Sequence, residues 1–316
     1  MRTAVLLWDM GLGFLVVSSL ECIPEGFHFT QSRIGPAVSQ ADRSNTAAGV
    51  AFEIAAAFGV LPQVEAVASA GSRTSGMGDH GSDLDLYIYI CGEVPVEKRT
   101  EIAGARAVWA EVDNHFWEPG DEWVEAGSGL GVDIVYRRTD WVQDQLERVL
   151  RRHEAAIGYS TSLWYNVLTS HALHDPGGWL AALQRFADQP YPEPLRQAIV
   201  AKNHPILRRN LSSYTHQIER AAARGDRVSV NHRTAAFLAS YFDILFALNR
   251  LPHPGEKRLL ALARERCTMK PEGMEAGIGA LLDQVGADGK QASELCRFLV
   301  DSLDRLLKEE GLLPGR

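Results

Sequence analysis

Apolar and polar positions along the chain change period near residue 150. Before that point, short alternating or near-continuous apolar runs are separated by glycine-rich turns. "VEAVASA" (64–70) and "LDLYIYI" (84–90) read as strands, as do "EWVEA" (122–126) and "GVDIVYR" (131–137), the last two joined by a turn around Ser128. Helical spacing marks 43–62, 95–109 and 139–153, the last opening on a threonine suited to an N-cap. After that point strand signals fade. Apolar stripes at helical spacing predict helices over 160–173, 177–187, 192–203, 205–223, 231–249, 256–266, 272–285 and 290–310. The pattern predicts an α+β fold: a small mixed sheet with flanking helices in 45–152, then an all-helical domain in 153–316, preceded by a leader over 1–44.

"TAVLLWDMGLGFLVVSS" (3–19) leaves two readings of that leader open, a targeting segment or a poorly ordered tail. Asp9 interrupts the apolar run and Arg2 is its lone basic flank, which favours the tail. The run is also short for a membrane-spanning helix, so no stable membrane association is expected.

Composition narrows the function classes. A net charge of -8, from 40 acidic against 32 basic residues, argues against a surface that grips nucleic-acid phosphates. Four scattered cysteines, without a C-x-x-C pair, suit reduced thiols in the cytoplasm. The histidines fall in no zinc-binding spacing, and motifs of serine hydrolases, zincins and P-loop enzymes are missing.

The informative chemistry lies in "GSRTSGMGDHGSDLDLYIYI" (71–90). Side chains alternate along a strand, so Asp83 and Asp85 share a face with α-carbons about 6 to 7 Å apart, while Leu84 and Leu86 point to the core. Two carboxylates side by side repel unless a proton or cation lies between them. Asp133 occupies a similar position in "GVDIVYR". Three carboxylates meeting at one sheet edge would suit Mg²⁺, a hard cation that prefers oxygen donors. Gly71 and Ser72 directly follow a strand, where a glycine permits close backbone approach and a hydroxyl beside backbone N–H groups receives phosphate oxygens. A lone Asp-x-Asp pair is more often a solvated strand end; the preceding Gly-Ser turn changes that balance.

"AGS", ten further residues, "DLDL" and a downstream Asp133 resemble the signature of the polymerase-β-type nucleotidyltransferase superfamily, which includes the enzymes that modify aminoglycosides and lincosamides. The resemblance spans about residues 60 to 140. It implies that Gly71 and Ser72 hold the terminal phosphates of a nucleoside triphosphate, that Asp83 and Asp85 bind Mg²⁺, and that Asp133 completes the metal site or helps activate the acceptor. "LHDPGGWLAALQ" and "FALNRLPHPGEKRLL" resemble the helical domain of uncharacterised bacterial nucleotidyltransferase-like proteins. Lys257, expected in the first turn of the 256–266 helix, is a further phosphate candidate, and Arg73 a weaker one. The expected reaction transfers a nucleoside monophosphate from an NTP, with ATP favoured, to a hydroxyl-bearing small molecule. A non-catalytic nucleotide-binding or toxin–antitoxin partner module and a protein-nucleotidylating enzyme stay open as alternatives.

Overall fold

The computed structural model of the chain describes residues 40–71, 82–116, 118–287 and 289–313. They divide into two compact units. One runs to Arg138 and includes His171–Gly177; the other comprises Thr139–Ser170 and Gly178 onward.

The first unit is α+β. Helix α1 (Gln40–Gly59) leads into β1 (Val64–Ser69) and β2 (Leu84–Ile90). Helix α2 (Val96–Gly104) follows, then β3 (Ala107–Asn114), β4 (Gly120–Glu125) and β5 (Gly131–Arg138); β6 (His171–His174) is supplied later in the chain. The sheet order is β3-β4-β5-β2-β1-β6. Its central pair, β2 and β5, is parallel, and the other pairs are antiparallel. Alternation decides which face is buried. Leu84, Leu86 and Ile88 of β2 stand beside Val132, Ile134 and Tyr136 of β5 and pack with Ile54 and Phe58 of α1. Each such aliphatic or aromatic side chain contributes about 1.5–3 kcal/mol by leaving water. The residues between them, Asp85 and Asp133 among others, consequently face the other side.

A buried polar cluster fixes the far edge of the sheet. Asp121 on β4 is paired with Arg99 of α2 and accepts from the Tyr136 hydroxyl at 2.5 Å and from the Asp113 backbone N–H at 2.8 Å. Asp113 sits at φ 66, where β3 is irregular.

Two strands depart from the sequence pattern. The helix expected over 95–109 ends at Gly104, and "AVWAEVDN" crosses to pair with β4. "HALH", expected at the end of a helix, pairs with β1 instead. Four residues carry no periodic signal, and sheet pairing overrides local propensity there.

The second unit is helical: α3 (Thr139–Leu150), α4 (Ser162–Thr169), α5 (Trp179–Ala187), α6 (Glu193–His204), a π-helical turn (Pro205–Arg209), α7 (Tyr214–Ala223), α8 (Arg227–Leu248), α9 (Leu259–Arg266), α10 (Met274–Gly286) and α11 (Ala292–Glu309). Helix α8 is its axis, with Phe237 and every residue from Ala239 to Leu248 buried. Asp226 caps it by accepting from Ser229 N–H at 3.0 Å. The single helix expected over 205–223 is split. Pro205 supplies no N–H to the ladder, and the chain leaves helical geometry at Asn210 before α7 begins. Among the described residues, no helix is long and apolar enough to cross a membrane.

Candidate functional site

The parallel pairing of β2 and β5 brings Asp85 and Asp133 directly opposite each other. Opposed residues on paired strands project to the same face, so the two carboxylates are cross-strand neighbours. Asp83, just ahead of β2, lies against β5: a Cβ at Gly131 would strike its carboxylate. Gly71 leaves β1 at φ 73, and a Cβ there would collide with Oδ2 of Asp85. Ala70 N–H donates to the Asp85 carbonyl at 3.0 Å. Glycine is therefore required at 71, by conformation and by space, while at 131 it leaves room for the Asp83 carboxylate.

The row of acids is longer than the sequence reading gave it. Glu122 on β4 stands opposite Asp133, and Glu111 on β3 stands opposite Glu122. Four carboxylates, Asp85, Asp133, Glu122 and Glu111, thus cross four adjacent strands in register on one face. The β4–β5 hairpin contained the signal. Its turn falls around residues 126–130, and counting outward from it sets 122 against 133.

Electrostatics follow from this crowding. Burial pushes the Asp133 carboxyl up to about 6, with further increments from Asp85, Glu122, Asp83 and Glu118. The field at Asp133 is strongly negative, and the surrounding donors are hard oxygens. Among the described residues no three of these side chains already converge as a metal-binding group. Mg²⁺ is, however, commonly held by one or two carboxylates with water and substrate phosphate filling the remaining positions. The Asp85–Asp133 pair, with Asp83 beside it, fits such a cation in donor type and in its need for positive charge.

The remaining candidates divide. Ser72 and Arg73 lie outside the described residues. Lys257 belongs to the second unit and is exposed. It does not lie in a helical first turn, because α9 begins two residues later, after Arg258 in a left-handed conformation (φ 57). The helix-dipole reason for singling it out therefore falls away. Its neighbours Asn249 and Arg250 serve the fold. The Asn249 amide donates to the Leu245 and Met269 carbonyls at 2.9 and 2.8 Å, and Arg250 pairs with Glu193 at 3.1 Å.

Residues 160–258 match a family model described as a domain of unknown function (DUF4037), less than half of the chain. No curated protein matches. Among solved structures, the chain is similar to a nucleotidyltransferase-like protein from Exiguobacterium sibiricum 255-15, at 11% identity and a TM-score of 0.40, over 82% of this chain and 74% of that one. It is also similar to the Thermotoga maritima CCA-adding enzyme complexed with tRNA, at 12% identity and a TM-score of 0.29, over 85% and 84% of the two chains. A CCA-adding enzyme in complex with ATP gives 12% identity and a TM-score of 0.30, over 86% and 84%. Similarity at this level says nothing about substrate, and the chemistry has to be read from this chain's own residues.

Proposed function

We propose that the protein is a Mg²⁺-dependent nucleotidyltransferase. It moves a nucleoside monophosphate from an NTP, ATP in the first instance, to a hydroxyl group of a small acceptor and releases pyrophosphate. The observation that carries this reading is the register of β2 and β5, which sets Asp85 against Asp133 beside the Gly71 turn.

Roles follow from position. Asp83 and Asp85 would hold the divalent cation, with Asp133 sharing it. Bound there, the cation would neutralise phosphate charge and stabilise the oxygens of an in-line displacement. Gly71 permits the backbone to approach phosphate oxygens, and Ser72 would donate its hydroxyl to them, with Arg73 a further candidate for the same phosphates. Asp133 is our candidate to receive the acceptor's proton, directly or through the cation it would share. The acceptor oxygen forms a bond to the α-phosphorus, the bond from that phosphorus to the β-bridging oxygen breaks, and pyrophosphate carries the electron pair away.

The test uses labelled ATP, Mg²⁺ and a panel of hydroxylated small molecules and proteins, following pyrophosphate and labelled product. Asp85→Asn should lower turnover on the order of 100-fold or more, since groups that merely orient metal ligands are worth 10–100-fold. Nucleotide bound and recovered intact, with no pyrophosphate from any acceptor, would support the non-catalytic module instead. Label on protein would support the protein-nucleotidylating alternative.

A further inference from the structure

The connection from α3 to α4 ends in a strap, residues 156–161, that is tied down from inside the second unit. Asp243, in the C-terminal third of α8 and only 1% exposed, accepts from the Ser160 backbone N–H at 3.0 Å, the Ser160 hydroxyl at 2.6 Å and the Asn203 amide at 3.1 Å. Asn203, on α6, accepts from Gly158 N–H at 2.9 Å and donates to the Ala156 carbonyl at 3.0 Å. Gly158 and Tyr159 both have positive φ, 73 and 53. Tyrosine avoids that region unless its surroundings impose it. The strap's last residue is anchored separately, where Thr161 Oγ1 accepts from His253 N–H at 2.7 Å.

The Ser160 hydroxyl has one proton and two acceptors. Its Oγ lies 2.6 Å from Asp243 Oδ2 and 3.3 Å from the Ala156 carbonyl, and it accepts from Ala156 N–H at 3.0 Å. With Asp243 ionised, the hydroxyl donates to the carboxylate. With Asp243 protonated, the carboxyl donates to Oγ and the serine proton turns to Ala156. Both arrangements complete the hydrogen bonds, but the first leaves a negative charge in the interior. The charged or titratable groups facing it are Tyr159 on the strap and Tyr191 ahead of α6; behind Tyr159 stand His253, ring to ring at 4.7 Å, and Glu256. Burial pushes Tyr159 up to about 12, raises Tyr191 well above its ordinary value and drives His253 down to about 3. All three stay neutral between pH 4 and pH 8, and Arg196, the cation that faces Tyr191 from α6, is paired with Glu193 and Glu310 at 2.9 Å each rather than with Asp243.

We propose that Asp243, Ser160 and Asn203 form a proton-coupled latch on the 156–161 strap, tightest while the Asp243–Ser160 pair holds a proton and loosened when that proton is lost. Burial pushes the Asp243 carboxyl up to about 7 in the closed state, against the lowering effect of Ser160 and Asn203. An opened strap returns it towards about 3.9. The closed state therefore binds the proton more tightly. Its advantage is complete below about pH 4 and is lost as pH rises to about 7, by up to about tenfold in the closed-to-open ratio per pH unit.

Hydrogen exchange on the full chain tests this. Protection of the Gly158 and Ser160 amides, corrected for the intrinsic pH dependence of exchange, should fall between pH 5 and pH 7. In Asp243→Asn, which keeps a hydrogen-bonding side chain without a titrating carboxyl, the slope should vanish. In Ser160→Ala the carboxylate loses a donor, so the fall should extend to higher pH. Corrected protection that is flat in the wild-type protein, a slope that persists in Asp243→Asn, or an unmoved profile in Ser160→Ala would each overturn the latch.

Discussion

At residue scale, Gly71 and Asp133 are the positions where a single change reads out the site. Alanine at 71 meets two obstacles, a left-handed backbone (φ 73) and the Asp85 carboxylate in the space its Cβ would need. The backbone conformation alone costs about 1–2 kcal/mol for a non-glycine residue, and the displaced carboxylate is a proposed cation ligand. Gly71→Ala should therefore lower Tm and nucleotide transfer together; a variant that melts and reacts like wild type would show that the turn is not held against Asp85. Asp133 gives a pH signature. Its carboxyl is pushed up to about 6 in the fold against about 3.9 in the unfolded chain. The folded state thus prefers the proton, and its stability falls as pH rises from about 4 to about 6. In chelator-treated protein at pH 7.5, Asp133→Asn should be the more stable form, by on the order of 1–2 kcal/mol once solvent screening of a half-buried group is allowed for. Denaturant melts at pH 4.5 and pH 7.5 measure it, and the gain should shrink at the lower pH.

At element scale, the site is made by strand register, and register was legible only in part. Strands β2, β4 and β5 follow from alternation and turn chemistry in the sequence, and the Gly-Ser turn after β1 with the Asp-x-Asp spacing pointed to this end of the sheet. That β2 and β5 are neighbours, and parallel, depends on a crossover through α2, β3 and β4 that no local pattern specifies. Strand β3 was hidden because Ala107–Trp109 prolong the apolar spacing of the preceding helix; the break is at Gly104. In the sequence Glu122 is one polar residue in a strand, whereas its register with Asp133 makes it the strongest carboxylate influence after Asp85. Glu122→Gln should consequently lower the Asp133 midpoint without unfolding the sheet. A carbon-13 titration of the Asp133 carboxyl in metal-free protein reads this directly, and an unmoved midpoint would mean that β4 does not present Glu122 to the site.

At the scale of the whole molecule, the chain crosses between its two units more than once. The sheet unit ends at Arg138 but recovers His171–Gly177, and β6 within that return covers the outer edge of β1. Strand β1 is short and apolar, with Val64, Ala66, Val67 and Ala68 all buried. Without β6 its unpaired N–H and C=O groups would form a bare edge, the arrangement that invites pairing with another chain. His174 adds a local contact, since its imidazole packs against Gly59 so closely that a Cβ there would clash. A fragment of residues 40–138 retains α1, α2 and the strands bearing the carboxylates, yet should be less stable than the intact chain and associate at micromolar concentration. The same fragment extended through residue 177 should regain β6 and lose much of that tendency. Sedimentation velocity and thermal melts of both fragments and the full chain discriminate the outcomes. If the shorter fragment stays monomeric and melts cooperatively near the full-length Tm, β6 contributes little to closing the sheet. If both fragments associate alike, the exposed edge of β1 is not what drives association.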